Sequence, residues 1–242
     1  MRKPLLCLFT ASLLLLLSAG CGRKATVAPK EPPSLDRAQG DSTVYALVAA
    51  GTSDSILVFL ELPYAGADPD TVDILGAMRN RQVFGRPEVG DNVAIVRCDS
   101  MPSVATIVID TEKLTDEWCY DVLPSLRRRM VHPDSLPQRL REMLLEPRQY
   151  SLVLKDGGMA FATGSRPMPQ DEQSPLVYPQ AKNYGQWAIF NGRLVLSEVR
   201  RDSTGTTVVG TDTASFVRLR RDTLVLRFRD GERTYHKKQE AE

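Results

Sequence analysis

The sequence predicts a mainly β chain: two small antiparallel units, barrel-like or built from curved sheets, joined by a short helical connector. Three observations predict it. Short runs of β-branched and aromatic residues recur between clusters of Gly, Pro, Asn and Asp. Residues 148–240 alone hold about eight such runs, the density of an antiparallel meander. Between the two β-rich stretches lies one segment with helical spacing.

The N-terminus comes first. Arg2 and Lys3 precede a short apolar core from Leu5 to Leu17, followed by the small residues Ser18, Ala19 and Gly20. That order describes a signal peptide over residues 1–20. A membrane span needs about 20 apolar residues, and this core is shorter. Cys21 directly after Ser-Ala-Gly resembles the lipobox of Gram-negative bacterial lipoproteins. The resemblance implies that the Cys21 thiol takes a diacylglycerol and that Cys21 becomes the mature N-terminus. Each buried methylene adds about 0.8 kcal/mol, so more than one acyl chain anchors a soluble body stably. Residue 22 is Gly, where Asp would retain an enteric lipoprotein at the inner membrane, so the outer membrane is the expected address. Its periplasmic and surface faces both fit.

Removing residues 1–20 leaves 29 basic against 30 acidic residues. Such a balance sets up no field for nucleic acid or an acidic polymer. Besides the anchor, two cysteines remain, Cys98 and Cys119. In an oxidising envelope they form either one disulfide or two buried thiols acting as small hydrophobes. No second pair at metal spacing accompanies them, so no metal site is expected.

Residues 21–43 are polar and contain Pro, which marks a flexible tether after the lipidated cysteine. Residues 44–112 form the first β-rich unit. VYALVAA and SILVFLEL read as strands around the turn GTSD, and NVAIVRC and SVATIVID as two more. Between them DPDTVDILGAMRN reads as a short helix, with Asp70 as cap and Asp73 in its first turn. VGDNVAIV is similar to the Gly-Asp turn and strand of small oligonucleotide/oligosaccharide-binding or SH3-like barrels. Residues 113–147 are the connector. Its helix starts at Asp134 or Ser135, and Leu136, Leu140, Met143 and Leu144 share one face that is expected to dock on a barrel.

Residues 148–240 carry the strongest pattern. YSLVL and MAFAT flank the turn DGG, and WAIF and RLVL flank Asn191-Gly192, a pair suited to two positive φ values. Further strands follow up to residue 240, and residues 165–182 make a Pro-rich loop expected to act as a rim or lid. Gly185-Gln186-Trp187 matches the G-x-W that opens a lipocalin strand, and a meander ending in LVLRFRDGER follows. On these residues the unit resembles the lipocalin-like domains of Gram-negative lipoproteins. The resemblance implies an antiparallel barrel, with Trp187 closing its end and lining a cavity for a small apolar ligand.

Candidate ligand-binding residues are therefore Trp187, Tyr184, Tyr178 and Trp118, with Tyr120 joining Trp118, Tyr184 and Trp187 in an aromatic platform for carbohydrate or lipid, all weighed against ordinary core packing. No catalytic motif is present: His132 and His236 stand apart in turn and terminal contexts, and there is no G-x-S-x-G, H-E-x-x-H or Walker loop. Asp68, Asp70 and Asp73 lack the spacing of an EF-hand loop. Arg127, Arg128, Arg129, Arg139 and Arg141 read as a solvated face, with a membrane phosphate or anionic glycan as the functional alternative. The sequence thus points to a lipid-anchored, non-enzymatic envelope protein that binds or assembles, without a cofactor. Its partners would be the membrane through the anchor and an envelope protein, a glycan or a small apolar ligand, not nucleic acid. One alternative is a lipocalin-like carrier. Another is an envelope hydrolase using acids such as Asp91, Asp99, Glu117 and Asp121.

Overall fold

The computed structural model describes residues 40–127, 136–164, 176–202 and 205–238. The signal peptide, Cys21, most of the tether, Arg128, Arg129, His132, Asp134, Ser135 and residues 165–175 lie outside these. No helix among the described residues is long and apolar enough to cross a membrane.

The chain is mainly β, with a mixed barrel-like sheet followed by a closed antiparallel barrel. The first unit holds β1 (Thr43–Val48), β2 (Ile56–Glu61), β3 (Asp70–Asp73), β4 (Val83–Phe84), β5 (Asn92–Cys98) and β6 (Met101–Asp110). Their order is β3-β2-β1-β5-β6-β4, and a parallel bridge between Asp73 and Val104 joins β3 back to β6. Alternate residues fill the inside: Ala46 and Val48, Leu57 and Phe59, Val93 and Ile95. This period of two is what a strand with one buried face requires.

The helix expected from DPDTVD is displaced. Asp70–Asp73 is strand β3, because β-branched Thr71 and Val72 suit a pleated edge and Val72 is buried opposite Leu57. The helix α1 (Leu75–Arg79) is one short turn further on, and its Leu75 N–H donates to the Asp73 carboxylate at 2.7 Å. The tether also ends earlier than expected. Thr43 already belongs to β1, and Asp41 and Ser42 bind Asn191 in the second unit.

The second unit is a closed eight-stranded barrel. Its strands are β7 (Glu117–Val122), β9 (Arg148–Lys155), β10 (Met159–Thr163), β12 (Tyr184–Phe190), β13 (Arg193–Asp202), β14 (Gly205–Leu219), β15 (Thr223–Phe228) and β16 (Gly231–Lys237). Outside it, β8 (Ser125–Leu126) pairs with β11 (Leu176–Val177). One barrel strand thus comes from the segment read as connector. β7 pairs with β9 on one side and β16 on the other. Trp118 and Tyr120 alternate towards the interior, a period-two pattern that marks a strand.

What remains of the connector is α2 (Thr111–Leu114), capped by the Asp110 carboxylate, and α3 (Gln138–Leu144). The expected docking of the second helix is slight: Leu136, just before α3, is buried and Leu140 and Leu144 are half-buried, but no residue of α3 itself is buried and Met143 is exposed. Its apolar stripe is a single short row, and the barrel is already closed by strands.

The two units share a core. Phe84, Ala94, Ile109 and Leu114 cluster with the barrel residues Trp118, Trp187, Leu194 and Phe216. Phe84 and Phe216 lie 5.4 Å apart between ring centroids. At the same junction the Asn191-Gly192 turn has φ values of 46° and 74°, so the expected two-residue hairpin is present.

Candidate functional site

The barrel has one filled end and one open end. Towards the first unit, the indole N–H of Trp118 donates to the Leu114 carbonyl at 2.8 Å and that of Trp187 to the Lys155 carbonyl at 2.8 Å. Both tryptophans are buried, and Leu194, Ile189 and Leu224 fill the space beside them. Buried indoles with satisfied N–H groups are core residues. Trp187 therefore sits in the filled end as a core residue.

The G-x-W glycine has its own reason. A Cβ on Gly185 would lie 2.0 Å from Val199 Cγ2, and the β12–β13 register shifts between Tyr184 and Gln186. Only a residue without a side chain allows that bulge and close approach.

At the open end lies a cavity of about 490 Å³. Its apolar lining includes Leu152, Ala162, Leu196 and Phe228, and four tyrosines converge on it: Tyr120, Tyr150, Tyr184 and Tyr235. The Tyr120 ring makes edge contacts with Tyr150 at 5.8 Å and Tyr235 at 5.0 Å. Tyr150 donates to the Pro179 carbonyl, fixing residues 179–182 along the mouth. This part of the Pro-rich loop does form a rim.

Charges are arranged around the mouth. Tyr184 donates to Asp212 Oδ2 at 2.5 Å, and Lys182 Nζ reaches both carboxylate oxygens at 2.7 and 2.6 Å. Burial works against charge on Asp212, yet the Lys182 and Tyr184 hydrogen bonds hold its carboxyl below the usual range. Burial, and then the Asp212 hydrogen bond, push the Tyr184 phenol up. Burial also raises Tyr120 and Tyr235, with the nearby Arg233 charge pulling the other way. The Arg233 guanidinium lies 4.6 Å from the centroid of the Phe228 ring and donates to Asp230 at 2.7 Å.

Of the candidate aromatic residues, Tyr184 and Tyr120 line this cavity. Tyr178 lies outside it, stacked under Arg148 at 3.9 Å and donating to the Glu146 carbonyl. Tyr150, Tyr235 and Arg233 escaped the sequence reading. The signal available for them was period-two spacing on single strands, as in Arg233-Thr234-Tyr235.

The two thiols stand free, so the candidate disulfide is not formed. Cys98 ends β5 in the first unit, half-exposed with its sulfur 3.2 Å from Ser100 Oγ, whereas Cys119 is buried on barrel strand β7. The four acids considered for a hydrolytic site are dispersed. Asp91 binds Lys113, Asp99 lies in the turn after β5, Glu117 binds Lys238, and Asp121 is at the barrel mouth. Among the described residues no group of three or more His, Cys, Asp or Glu gathers to hold a metal ion. Asp70 is engaged with Arg97 and Asp73 with the α1 backbone.

No family model and no curated protein matches the chain. A solved structure described as a lipocalin-like protein from Bacteroides thetaiotaomicron VPI-5482 is similar at 17% identity and a TM-score of 0.29. The match covers 52% of this chain and 97% of that one. A likeness of that strength bears on neither fold nor ligand, and the fold rests on the strand order itself.

Proposed function

We propose that this chain is a lipid-anchored, non-enzymatic protein of the cell envelope whose C-terminal barrel takes up a small molecule with a largely apolar body. The observation that carries the reading is the cavity of about 490 Å³ at the barrel mouth, opposite an end filled by Trp118 and Trp187. Its size falls within the range of about 300–1,000 Å³ common for small-molecule sites. Its walls combine aliphatic side chains with a few fixed polar groups, the usual division between burial and orientation. Anchoring rests on Cys21 after Ser-Ala-Gly, and the outer membrane on Gly22.

The test uses N-phenyl-1-naphthylamine, an uncharged apolar dye that brightens in dry surroundings. Saturable binding by the purified chain is expected, weakened when Ala162→Phe fills the cavity. Because both tryptophans lie in the filled end, the dye signal and not tryptophan emission is the proper readout. Absence of saturable binding, or binding indifferent to Ala162→Phe, would remove the carrier reading and leave an assembly role.

A further inference from the structure

The cavity carries a more specific message than its apolar walls. We infer that the barrel mouth selects an amphiphile with one anionic head, held by the Arg233 guanidinium with the phenols of Tyr235 and Tyr120. The inference rests on the ligand-binding reading above and adds the chemistry of the head group.

Arg233, Tyr235 and Tyr120 all line the cavity, the first two in i, i+2 positions on β16 and the third on the neighbouring strand β7. The positive charge of Arg233 acts on the Tyr235 phenol, against the effect of burial. Among the described residues the Tyr120 hydroxyl has ring neighbours but no hydrogen-bond partner. Two phenols and a guanidinium therefore line one volume, which is donor chemistry suited to a carboxylate, sulfonate or phosphate oxygen.

The surrounding acids do not cancel it. Asp212 is held by Lys182 and Tyr184, and Glu232 accepts from Arg227 at 2.9 and 2.6 Å. Asp121 is exposed at the rim. Asp230 engages one terminal nitrogen of Arg233 in a pair whose carboxylate is 68% exposed, and exposed pairs of this kind hold their partners weakly. The other N–H donors of the five-donor fork remain for an incoming anion. Phe228, lying against the guanidinium, limits water around it and so strengthens a bound ion pair.

Two dyes that differ by a single group test this. 8-Anilino-1-naphthalenesulfonate is N-phenyl-1-naphthylamine with one added sulfonate. The purified chain is expected to bind the sulfonate about tenfold or more tightly than the neutral dye, the scale of hydrogen bonds to a charged group. Arg233→Met is expected to abolish that preference, bringing the ratio of the two affinities to about one. Tyr120→Phe, which keeps the ring contacts and removes one oxygen, is expected to reduce the preference in part. It guards against misfolding of the arginine variant. Equal binding of the two dyes, or a preference untouched by both substitutions, would overturn the anionic-head inference while leaving the cavity reading intact. Binding of neither dye would overturn both.

Discussion

One phenol satisfies both backbone groups of a residue 144 positions away: Tyr45 Oη donates to the Ile189 carbonyl at 3.2 Å and accepts its N–H at 3.0 Å. The reason lies in the barrel. β12 bonds to β13 along its length, but to β10 through the Met159–Gln186 pair, so its later residues face no strand on that side. Tyr45 from the first unit takes the place of a neighbour. Tyr45→Phe is expected to lower stability by about 1–3 kcal/mol, the cost of leaving buried backbone groups unpaired. A denaturant titration should show an earlier midpoint with an unchanged slope.

The same junction makes Gly192 intolerant. Its φ of 74° disfavours any side chain, and a Cβ there would meet Ile107 Cδ1 at 2.5 Å. The turn pattern alone suggests that Gly192→Val would harm the C-terminal unit by itself. Because Ile107 packs against the shared core, both units are expected to weaken together, by about 2–4 kcal/mol from strain and overpacking. Fluorescence from the barrel tryptophans and circular dichroism from the whole chain should then report one coincident transition. Separate transitions would contradict the shared core.

These two contacts also mark where the sequence was readable. Asn191-Gly192, MAFAT and NVAIVRC are written in neighbouring residues, and the strands and turn fall where local pattern placed them. β7 was hidden because its evidence is non-local: its partners β9 and β16 lie far along the chain, and basic residues follow it closely. The cavity was hidden for the same reason. Tyr120, Tyr150, Tyr184 and Tyr235 come from four strands, and only barrel closure brings them to one mouth. Trp187 drew attention through its motif, yet an indole whose N–H can reach a turn carbonyl is as well suited to a core. The Asp70 helix cap failed because a cap residue and a strand edge share the same polar, β-branched surroundings.

Asp110 supplies a pH test. It is fully buried, caps α2, and pairs with Lys113 at 2.7 Å, while Lys113 also reaches Asp91 at 3.0 Å. Burial pushes its carboxyl up to about 6, outweighing the Lys113 hydrogen bonds. Burial opposes the charge of Lys113 too, yet Asp110 and Asp91 raise it overall, so the ammonium stays charged through the range concerned. The folded chain therefore holds the Asp110 proton more tightly than the unfolded chain does. The resulting stability is full below the ordinary value of 3.8 and is lost as pH rises through about 6. Asn at this position does not titrate. The stability of the native chain relative to Asp110→Asn is expected to fall by about 1–3 kcal/mol between pH 4 and pH 7. A pH-independent difference would show that Asp110 does not titrate in this window.

The anchor is tested in cells. Cys21→Ser is expected to abolish labelling by a radioactive or clickable fatty acid and to release the chain from membranes. Labelling that persists would place the acyl group elsewhere or nowhere on this cysteine.

The most direct measurement is to map binding on the protein itself. In an amide proton–nitrogen NMR titration with 8-anilino-1-naphthalenesulfonate, shifts are expected to cluster at residues 120–123, 150–152, 179–184 and 228–235 around the open mouth. Residues of the first-unit core, such as Ala46, Leu57 and Val93, should stay unmoved. Shifts that saturate at the mouth would locate the ligand site there. Shifts confined to the first unit, scattered over the surface or absent would contradict the assignment of the barrel as the binding unit.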